Sequence, residues 1–251
     1  DSSIIMGDNY LEIRYSSKKA AQNTLTTTFA SNSVNANFIS PIVRSRSDTG
    51  VVYAGAKKIF KSTNGGLNWD SLSSALDGNK ILSIAVSYTS PDTLYAATVP
   101  NSGGANQMGF FKSTNGSANW TNITTGLPNR YPNKIAVDPA DSRIVYAAFG
   151  GFGTSHVYKT TDGGSSWSDI NGVLPDVPVQ SIVIDPQISH NVYLGTDIGM
   201  YISTNSGTTW SSFGDGLPEA IMIFDLSISP ANNTIRAATH GRGVYERKLW
   251  P

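Results

Sequence analysis

Short apolar runs alternate with turn-forming residues along the chain. One set of runs is rich in β-branched residues and comprises ILSIAVS (81–87), KIAVDP (134–139), SIVIDP (181–186) and FDLSISP (224–230). A second set of small, aromatic and branched residues comprises VVYAG (51–55), TLYAA (93–97), IVYAA (144–148), NVYLG (191–195) and TIRAA (234–238). Runs of this length and composition are typical of buried strands. No segment is convincingly helical, so the pattern predicts an all-β chain.

Four polar nonapeptides of similar sequence occur in the chain, and each ends in Trp. They are KSTNGGLNW (61–69), KSTNGSANW (112–120), KTTDGGSSW (159–167) and ISTNSGTTW (202–210). Successive Trp residues are 43 to 51 positions apart, which is the size of a four-stranded sheet with its turns. Small antiparallel sheets repeated at this period are typical of a β-propeller, in which each sheet is one blade. We call the four segments the repeat hairpins, because each lies between predicted strands C and D of its blade.

The period predicts a single β-propeller domain over residues 1–251. It divides into a partial blade at 1–37, four blades at 38–78, 79–130, 131–177 and 178–220, and a partial closing blade at 221–251. A seven-bladed ring of such units needs on the order of 300 residues or more. We therefore expect an incomplete propeller or a fragment of a larger one; a small ring closed by terminal strands is the alternative.

Composition narrows the classes of function. The chain has 18 basic and 18 acidic residues, so no positive surplus indicates a nucleic-acid partner. Cysteine is absent, which excludes disulfides, thiolate metal sites and cysteine nucleophiles. No apolar run is long enough for a transmembrane helix, so we expect no membrane insertion. The opening DSSIIMGDNYLEI has no initiator Met and no leader, which predicts a mature form or a fragment.

Each repeat hairpin has Ser or Thr, Asn or Asp, Gly and Trp at fixed spacing, except that Ser117 replaces the Gly of the second copy. Asn or Asp accepts hydrogen bonds from nearby backbone N–H groups, Gly permits positive φ, the hydroxyl adds a local bond, and Trp buries a large ring between blades. A metal loop needs several oxygen ligands with negative charge, and only one copy has a carboxylate. We therefore predict a structural role, with no metal or other cofactor, for Ser62, Asn64, Gly66, Trp69, Ser113, Asn115, Trp120, Thr160, Asp162, Gly164, Trp167, Ser203, Asn205, Gly207 and Trp210.

The pattern Ser/Thr-x-Asp/Asn-x-Gly-x-x-Trp resembles the Asp-box, or BNR repeat, and its copies span most of the chain. Families with this repeat are β-propellers and include sialidases, xyloglucan-cleaving glycoside hydrolases, sortilin-type receptors and a photosystem assembly factor. The segment ATHGRGVYERKLW (238–250) resembles the final blade of exported bacterial BNR-repeat proteins. The resemblance implies an extracellular or cell-surface protein that carries further domains. The Arg-Ile-Pro motif of the sialidases is absent.

Propeller geometry places the D-to-A and B-to-C loops on one face, and binding residues favour loops on rigid scaffolds. The D-to-A loops at 126–133, 172–178 and 216–220 share a Gly-Leu-Pro-like core, and the longest B-to-C loops are 98–109 and 149–156. These two loops are either binding loops or surface excursions. The candidates for ligand binding on this face are Arg130, Tyr131, Phe152, His240 and Arg242.

Sugar hydrolysis requires two carboxyl groups facing each other across the site. The weak catalytic candidates are Asp176, Asp197 and Glu219, for which solvated surface is the favoured alternative. The three His residues are far apart and form no metal-binding motif.

Two functions remain open. The first is a non-catalytic binding or scaffold module of an exported protein that recognises a glycan or a protein. The second is a carbohydrate-active hydrolase similar to the xyloglucanases, or a fragment of one. In those hydrolases the two catalytic aspartates lie on separate propellers, and this chain has room for one propeller. No catalytic residue is therefore transferred from the resemblance.

Overall fold

A computed structural model describes residues 4–16, 26–32, 34–72, 75–100 and 107–251. The middle of the predicted binding loop 98–109 and part of the predicted first blade lie outside these ranges. The described residues form 22 strands and no helix, so the prediction of an all-β chain is confirmed. The chain forms two compact units, residues 1–124 and residues 125–251. The predicted single domain and its blade boundaries stay predictions.

Unit 1 (1–124) contains three antiparallel sheets among its described residues. The first has three strands, β1 (Ile4–Asp8), β2 (Glu12–Ser16) and β3 (Thr26–Phe29). The second comprises β4 (Ile42–Arg44), β5 (Val52–Gly55), β6 (Ile59–Ser62) and β7 (Asp70–Ser71). The third comprises β8 (Ile81–Val86), β9 (Leu94–Thr98), β10 (Phe110–Ser113) and β11 (Thr121–Asn122).

Unit 2 (125–251) also contains three antiparallel sheets. The fourth sheet of the chain comprises β12 (Pro132–Val137), β13 (Val145–Phe149), β14 (Val157–Thr160) and β15 (Ser168–Asp169). The fifth comprises β16 (Val179–Ile184), β17 (Val192–Thr196), β18 (Gly199–Ser203) and β19 (Ser211–Ser212). The sixth has three strands, β20 (Ile223–Ser229), β21 (Thr234–Thr239) and β22 (Val244–Lys248).

The second strand of each four-stranded sheet is buried along its whole length. Every residue of β5, β9, β13 and β17 is buried. Strands covered on both faces lose the apolar–polar alternation of a half-exposed strand and become continuous apolar runs. That burial explains why the Tyr-Ala-Ala type runs are continuously apolar in the sequence.

The repeat hairpins share one hydrogen-bonding pattern. In the first, Ser62 Oγ donates to Asn64 Oδ1 (2.9 Å) and accepts from the N–H of Gly66 (2.8 Å), and Asn64 Oδ1 accepts from the N–H of Asn68 (2.9 Å). The other three copies make the same bonds at the same positions. The polar residues of the repeat therefore bond to the hairpin itself.

Three of the hairpin Trp rings, those of Trp69, Trp120 and Trp210, pack against the sheet that precedes them within the same unit. Trp210 packs with Tyr146 and Val157 of the fourth sheet, and its Nε1 donates to the carbonyl of Ile170 (2.8 Å). Trp210 is buried, but Trp69, Trp120 and Trp167 are only half-buried. Burial of all four rings was therefore overestimated: Trp69 Nε1 and Trp120 Nε1 donate to carbonyls of their own hairpins, which keeps one edge of each ring near the surface.

Candidate functional site

Two kinds of loop leave from the same edge of each sheet in unit 2, because successive strands are antiparallel. They are the turns 150–156, 197–198 and 240–243 and the connections that lead into β12, β16 and β20. We call this set the unit 2 loop edge. All eight candidate binding and catalytic residues from the sequence lie on it.

Asp176 holds the turn 150–156 in place. Its carboxylate accepts the N–H of Gly153 at 2.9 Å and contacts Nε2 of His156 at 2.9 Å. His156 is fully buried, and its N–H donates to Asn171 Oδ1 (2.9 Å). The bond from His156, followed by the bond from Gly153, lowers the pKa of Asp176. Asp176 is therefore ionised at neutral pH and acts as an anchor for the turn.

The His156 contact assigns the tautomer of the ring. A carboxylate only accepts hydrogen bonds, so Nε2 of His156 must carry the proton. The other ring nitrogen, Nδ1, is buried and has no hydrogen-bond partner in the described part of the chain. Sequence reasoning treated Asp176 as a catalytic candidate and did not connect it to His156, which is 20 residues away.

Arg130 ties the connection before β12 to the same turn. Its Nη2 donates to the carbonyl of Phe152 (3.3 Å), and the N–H of Gly150 donates to the carbonyl of Tyr131 (2.9 Å). Gly151 has φ of 91°, and a Cβ there would lie 3.1 Å from Cδ of Arg130. The arginine stem thus lies close against the turn backbone.

Two aromatic rings are left exposed beside this network. Tyr131 is 49% exposed and Phe152 is 61% exposed. Large apolar groups on a surface are informative when they are clustered and held in place. The structure therefore brings three of the five predicted ligand contacts, Arg130, Tyr131 and Phe152, to the loop edge of the fourth sheet.

The other two predicted contacts lie on the sixth sheet. The ring of His240 is 5.5 Å from the ring of Phe224, which is 47% exposed, and the N–H of His240 donates to the carbonyl of Met222 (3.0 Å). Arg242 is exposed in the same turn. Phe224 was not among the predicted contacts, because in the sequence it reads as the first apolar residue of a strand.

The three carboxylates occupy three different segments. Asp176 precedes β16, Asp197 follows β17 and accepts a bond from Gln180 Nε2 (2.8 Å), and Glu219 is exposed before β20. A general acid in glycoside hydrolysis needs a raised pKa. Asp176 has a lowered pKa and is already occupied by the turn, so its environment is unsuited to that role.

A polar line across the first strands of the three sheets was missed by sequence reasoning. Lys134 Nζ and Ser181 Oγ both donate to Asp225 Oδ1 (2.8 Å each), and Ser181 Oγ accepts the N–H of Leu226 (3.1 Å). Ser181 is fully buried, whereas Asp225 is half exposed. These bonds join β12, β16 and β20 side by side and give the loop edge a rigid base.

The polar line had a faint signal in the sequence. Lys134, Ser181 and Asp225 each follow an irregularity in the strand register and pair with a small residue of the next strand, Ala148, Gly195 and Ala238. The positions correspond, but Lys, Ser and Asp share no residue type. A search for repeated residues therefore passes over them.

Among the described residues, no group of three or more His, Cys, Asp or Glu side chains is arranged to hold a metal ion. The described part of the chain also contains no helix of the length and hydropathy that crossing a membrane requires.

No family model matches the chain, and no curated protein matches it. Solved structures do match. A GH74 enzyme from Niastella koreensis superposes with a TM-score of 0.70 at 20% identity, over 97% of this chain and 42% of that one. The GH74 xyloglucanase from Xanthomonas campestris gives a TM-score of 0.72 at 14% identity, over 97% and 42%.

A third match comes from outside the GH74 enzymes. The extracellular domain of a hybrid two-component system protein from B. thetaiotaomicron gives a TM-score of 0.65 at 16% identity, over 99% of this chain and 32% of that one. The chain thus spans less than half the length of these three structures. At such low identity the likeness shows the fold. Together with the six small antiparallel sheets, it identifies the chain as a β-propeller of mostly four-stranded blades, in agreement with the prediction from the sequence.

Proposed function

We propose that the chain is a binding module of an exported or cell-surface protein and that its unit 2 loop edge recognises a glycan. The observation that carries the proposal is the pair of exposed rings, Tyr131 and Phe152, on two loop segments whose backbones are joined by the Arg130 and Gly150 hydrogen bonds. A protein ligand is the alternative occupant. His240 and Arg242 on the sixth sheet belong to the proposed surface as secondary contacts.

The fixed geometry of the turn supports recognition by preformed contacts. Three side chains from outside bond to the turn 150–156: the Asp176 carboxylate to Gly153 and the His156 ring, the Asn171 amide to the His156 backbone, and the Arg130 guanidinium to the Phe152 carbonyl. A surface that is ordered before binding loses less conformational entropy when the ligand arrives. Flat aromatic faces suit the apolar C–H face of a sugar ring, and the arginine offers fixed N–H donors to hydroxyl or carboxylate oxygens.

The proposed export is consistent with the fold neighbours, one of which is an extracellular domain. Those neighbours are longer than this chain, which fits a parent protein with further domains.

The test is a glycan array followed by titration calorimetry on the array hits. We expect Tyr131→Ala and Phe152→Ala each to weaken binding by about tenfold or more, as removal of an anchoring aromatic side chain does. Tyr88→Ala is the matched control, because Tyr88 is 53% exposed and lies in the turn between β8 and β9, in unit 1. Unchanged affinity in both loop-edge variants would contradict the proposal.

If the chain is a hydrolase instead of a binding module, a different result is expected. The chain would then release reducing sugar from xyloglucan or another β-glucan, and Asp197→Asn or Glu219→Gln would abolish that release. This result would favour a hydrolase over a binding module. Those two variants are preferred to a change at Asp176, since loss of the Asp176 carboxylate also releases the turn 150–156.

A further inference from the structure

A separate cavity opens in unit 1, between the end of β3 and the turn that joins β5 to β6. Its volume is about 440 Å³. Small-molecule sites are typically cavities of about 300–1,000 Å³ with apolar walls and a few placed polar groups. Its principal lining residues are Phe29, Asn32, Asn35, Lys57, Lys58 and Phe60.

Two phenylalanines form the apolar wall. The ring centroids of Phe29 and Phe60 are 4.5 Å apart with their planes tilted by 52°. Both residues are half-buried, and Ala56 beside them is 2% exposed. Because one side of each ring is packed against the sheet core, the wall is held in position and presents a partly open apolar surface to the cavity.

Asparagine side chains stand at the rim. Asn32 Oδ1 accepts the N–H groups of Val34 (3.1 Å) and Asn35 (3.2 Å). The carbonyl of this amide is therefore used by the local turn, which leaves its NH₂ group as the part that can meet a ligand. Asn35 supplies a second, exposed amide to the same rim.

Two adjacent lysines give the cavity its charge. Lys57 and Lys58 form the turn between β5 and β6, which is closed by a bond from the N–H of Ala56 to the carbonyl of Lys58 (2.9 Å). Among the described residues, no carboxylate forms an ion pair with either lysine. No acidic residue is among the described residues that line the cavity, so its field favours an anion.

We propose that this cavity binds an acidic sugar, with the carboxylate of a hexuronate residue bonded to Lys57 and Lys58. The amides of Asn32 and Asn35 meet the ring hydroxyls, and the C–H face of the sugar lies against Phe29 and Phe60. A small inorganic anion would use the lysines but leave the aromatic wall and the amides without a partner. The site shares no residue with the unit 2 loop edge and does not depend on the function proposed for it.

The probe is trigalacturonate, compared with neutral galactotriose, in calorimetric titrations of the whole chain. We expect trigalacturonate to bind and galactotriose to bind at least about tenfold more weakly, because charge-assisted hydrogen bonds are the strong ones. The double variant Lys57→Ala/Lys58→Ala should lose at least about tenfold in affinity. Lys57→Arg/Lys58→Arg keeps both charges and should retain binding within a few-fold.

Arg46→Ala is the matched control, because Arg46 is an exposed cation in the turn at the opposite edge of the same sheet. It should bind as the unmodified chain does. Equal binding of the neutral trisaccharide, full affinity in the double alanine variant, or displacement of trigalacturonate by equimolar sulfate would overturn the proposal. The loop-edge variants Tyr131→Ala and Phe152→Ala should leave trigalacturonate affinity unchanged, so failure of one proposal is distinguishable from failure of the other.

Discussion

Two successive residues with positive φ occur in each repeat hairpin, and the second of them is Gly66, Ser117, Gly164 or Gly207. Ser117 adopts φ of 75° with a side chain present. The left-handed conformation costs a residue with a Cβ roughly 1–2 kcal/mol. Its Oγ is also buried with no hydrogen-bond partner in the described ranges. The second hairpin therefore keeps the geometry of the repeat at some cost in stability.

Replacement of Ser117 by Gly should stabilise unit 1. Relief of backbone strain and loss of the buried hydroxyl exceed the added chain entropy of Gly, for a net gain of about 1 kcal/mol in the free energy of unfolding. Urea unfolding followed by Trp fluorescence measures it. The reverse change, Gly207→Ser, should destabilise unit 2, because a Cβ there would lie 2.5 Å from Cδ1 of Ile170. A lower urea midpoint for Ser117→Gly would refute the strain argument.

Asp162 is the one acidic residue among the four corresponding hairpin positions. Its carboxylate accepts bonds from Ser166 Oγ (2.6 Å), the N–H of Ser166 (2.9 Å) and Thr160 Oγ1 (2.7 Å). Those bonds, led by Ser166 Oγ, lower the pKa of Asp162. A lowered carboxyl pKa in the folded state contributes stability above the unfolded value, about 3.9, and that contribution is lost as pH falls below it.

Asp162→Asn should therefore remove part of the acid sensitivity together with the stability that the charged carboxylate adds at neutral pH. The matched position Asn205 shows that Asn keeps the pattern, since Asn205 Oδ1 accepts the N–H of Thr209 and Nδ2 donates to Thr209 Oγ1. The thermal midpoint at pH 7 should be slightly lower than that of the unmodified chain, because the charge-assisted part of the bonds is lost, and its fall between pH 4 and pH 2 should be shallower. An unchanged acid slope would show that the three bonds add no pH-dependent stability.

At the scale of elements, a Tyr hydroxyl on the second strand of one sheet bonds to the backbone of the following sheet at two places in unit 2. The hydroxyl of Tyr146 on β13 donates to the carbonyl of Ser206 in the next repeat hairpin (3.3 Å). Burial raises the pKa of Tyr146 to about 12, so the hydroxyl keeps its proton. The corresponding Tyr193 on β17 accepts the N–H of Trp250 (2.9 Å). The segment after β22 thus takes the place that a repeat hairpin occupies elsewhere.

The ring of Trp250 completes this substitution. Trp210 meets Ile170 beside β15, and Trp250 meets Phe213, the corresponding residue beside β19, with ring centroids 6.3 Å apart. The guanidinium carbon of Arg247 lies 3.7 Å from the centroid of the same Phe213 ring. A cation over an aromatic face adds to the contact. The sixth sheet therefore packs on the fifth without a repeat hairpin of its own.

The two Trp residues should differ sharply in their contribution to stability. Trp210 is 6% exposed and Trp250 is 47% exposed. Trp210→Ala should cost about 3–5 kcal/mol, as loss of a buried large aromatic side chain does, whereas Trp250→Ala should cost about 1 kcal/mol. Hydrogen exchange at the amides of β13 and β17 measures the loss within unit 2. Equal costs for the two variants would contradict the packing described here.

At the scale of the whole molecule, both units place their most distinctive surface chemistry on loops that leave one edge of their sheets. Unit 2 offers aromatic rings with an arginine network, and unit 1 offers two lysines beside an aromatic wall. The polar groups of the strands and repeat hairpins form hydrogen bonds within the protein. The scaffold is therefore repeated, while the two candidate sites differ in residue type and charge.

The fold was predictable to a large extent because its signals are local. Apolar runs and the Trp-ended hairpin recur at blade intervals, and each copy folds through contacts within itself or with its neighbour in the chain. The candidate site was predictable only in part. The location of Arg130, Tyr131 and Phe152 on the loop edge was anticipated from their place between strands, and their role in binding stays a prediction. The contact of Asp176 with His156 and the line from Lys134 through Asp225 to Ser181 were not anticipated.

The sequence by itself determined the all-β character, the blade period and the hairpin chemistry, since these depend on short-range hydrogen bonds and on which residues avoid water. Only the tertiary structure decided which loop residues touch. His156 and Asp176 are 20 positions apart, and Lys134 and Asp225 are 91 positions apart. Contacts of that range depend on how sheets stack and where turns project. The tertiary structure therefore shows that Asp176 supports the turn 150–156. It also brings Phe29 next to the turn of Lys57 and Lys58 around one cavity.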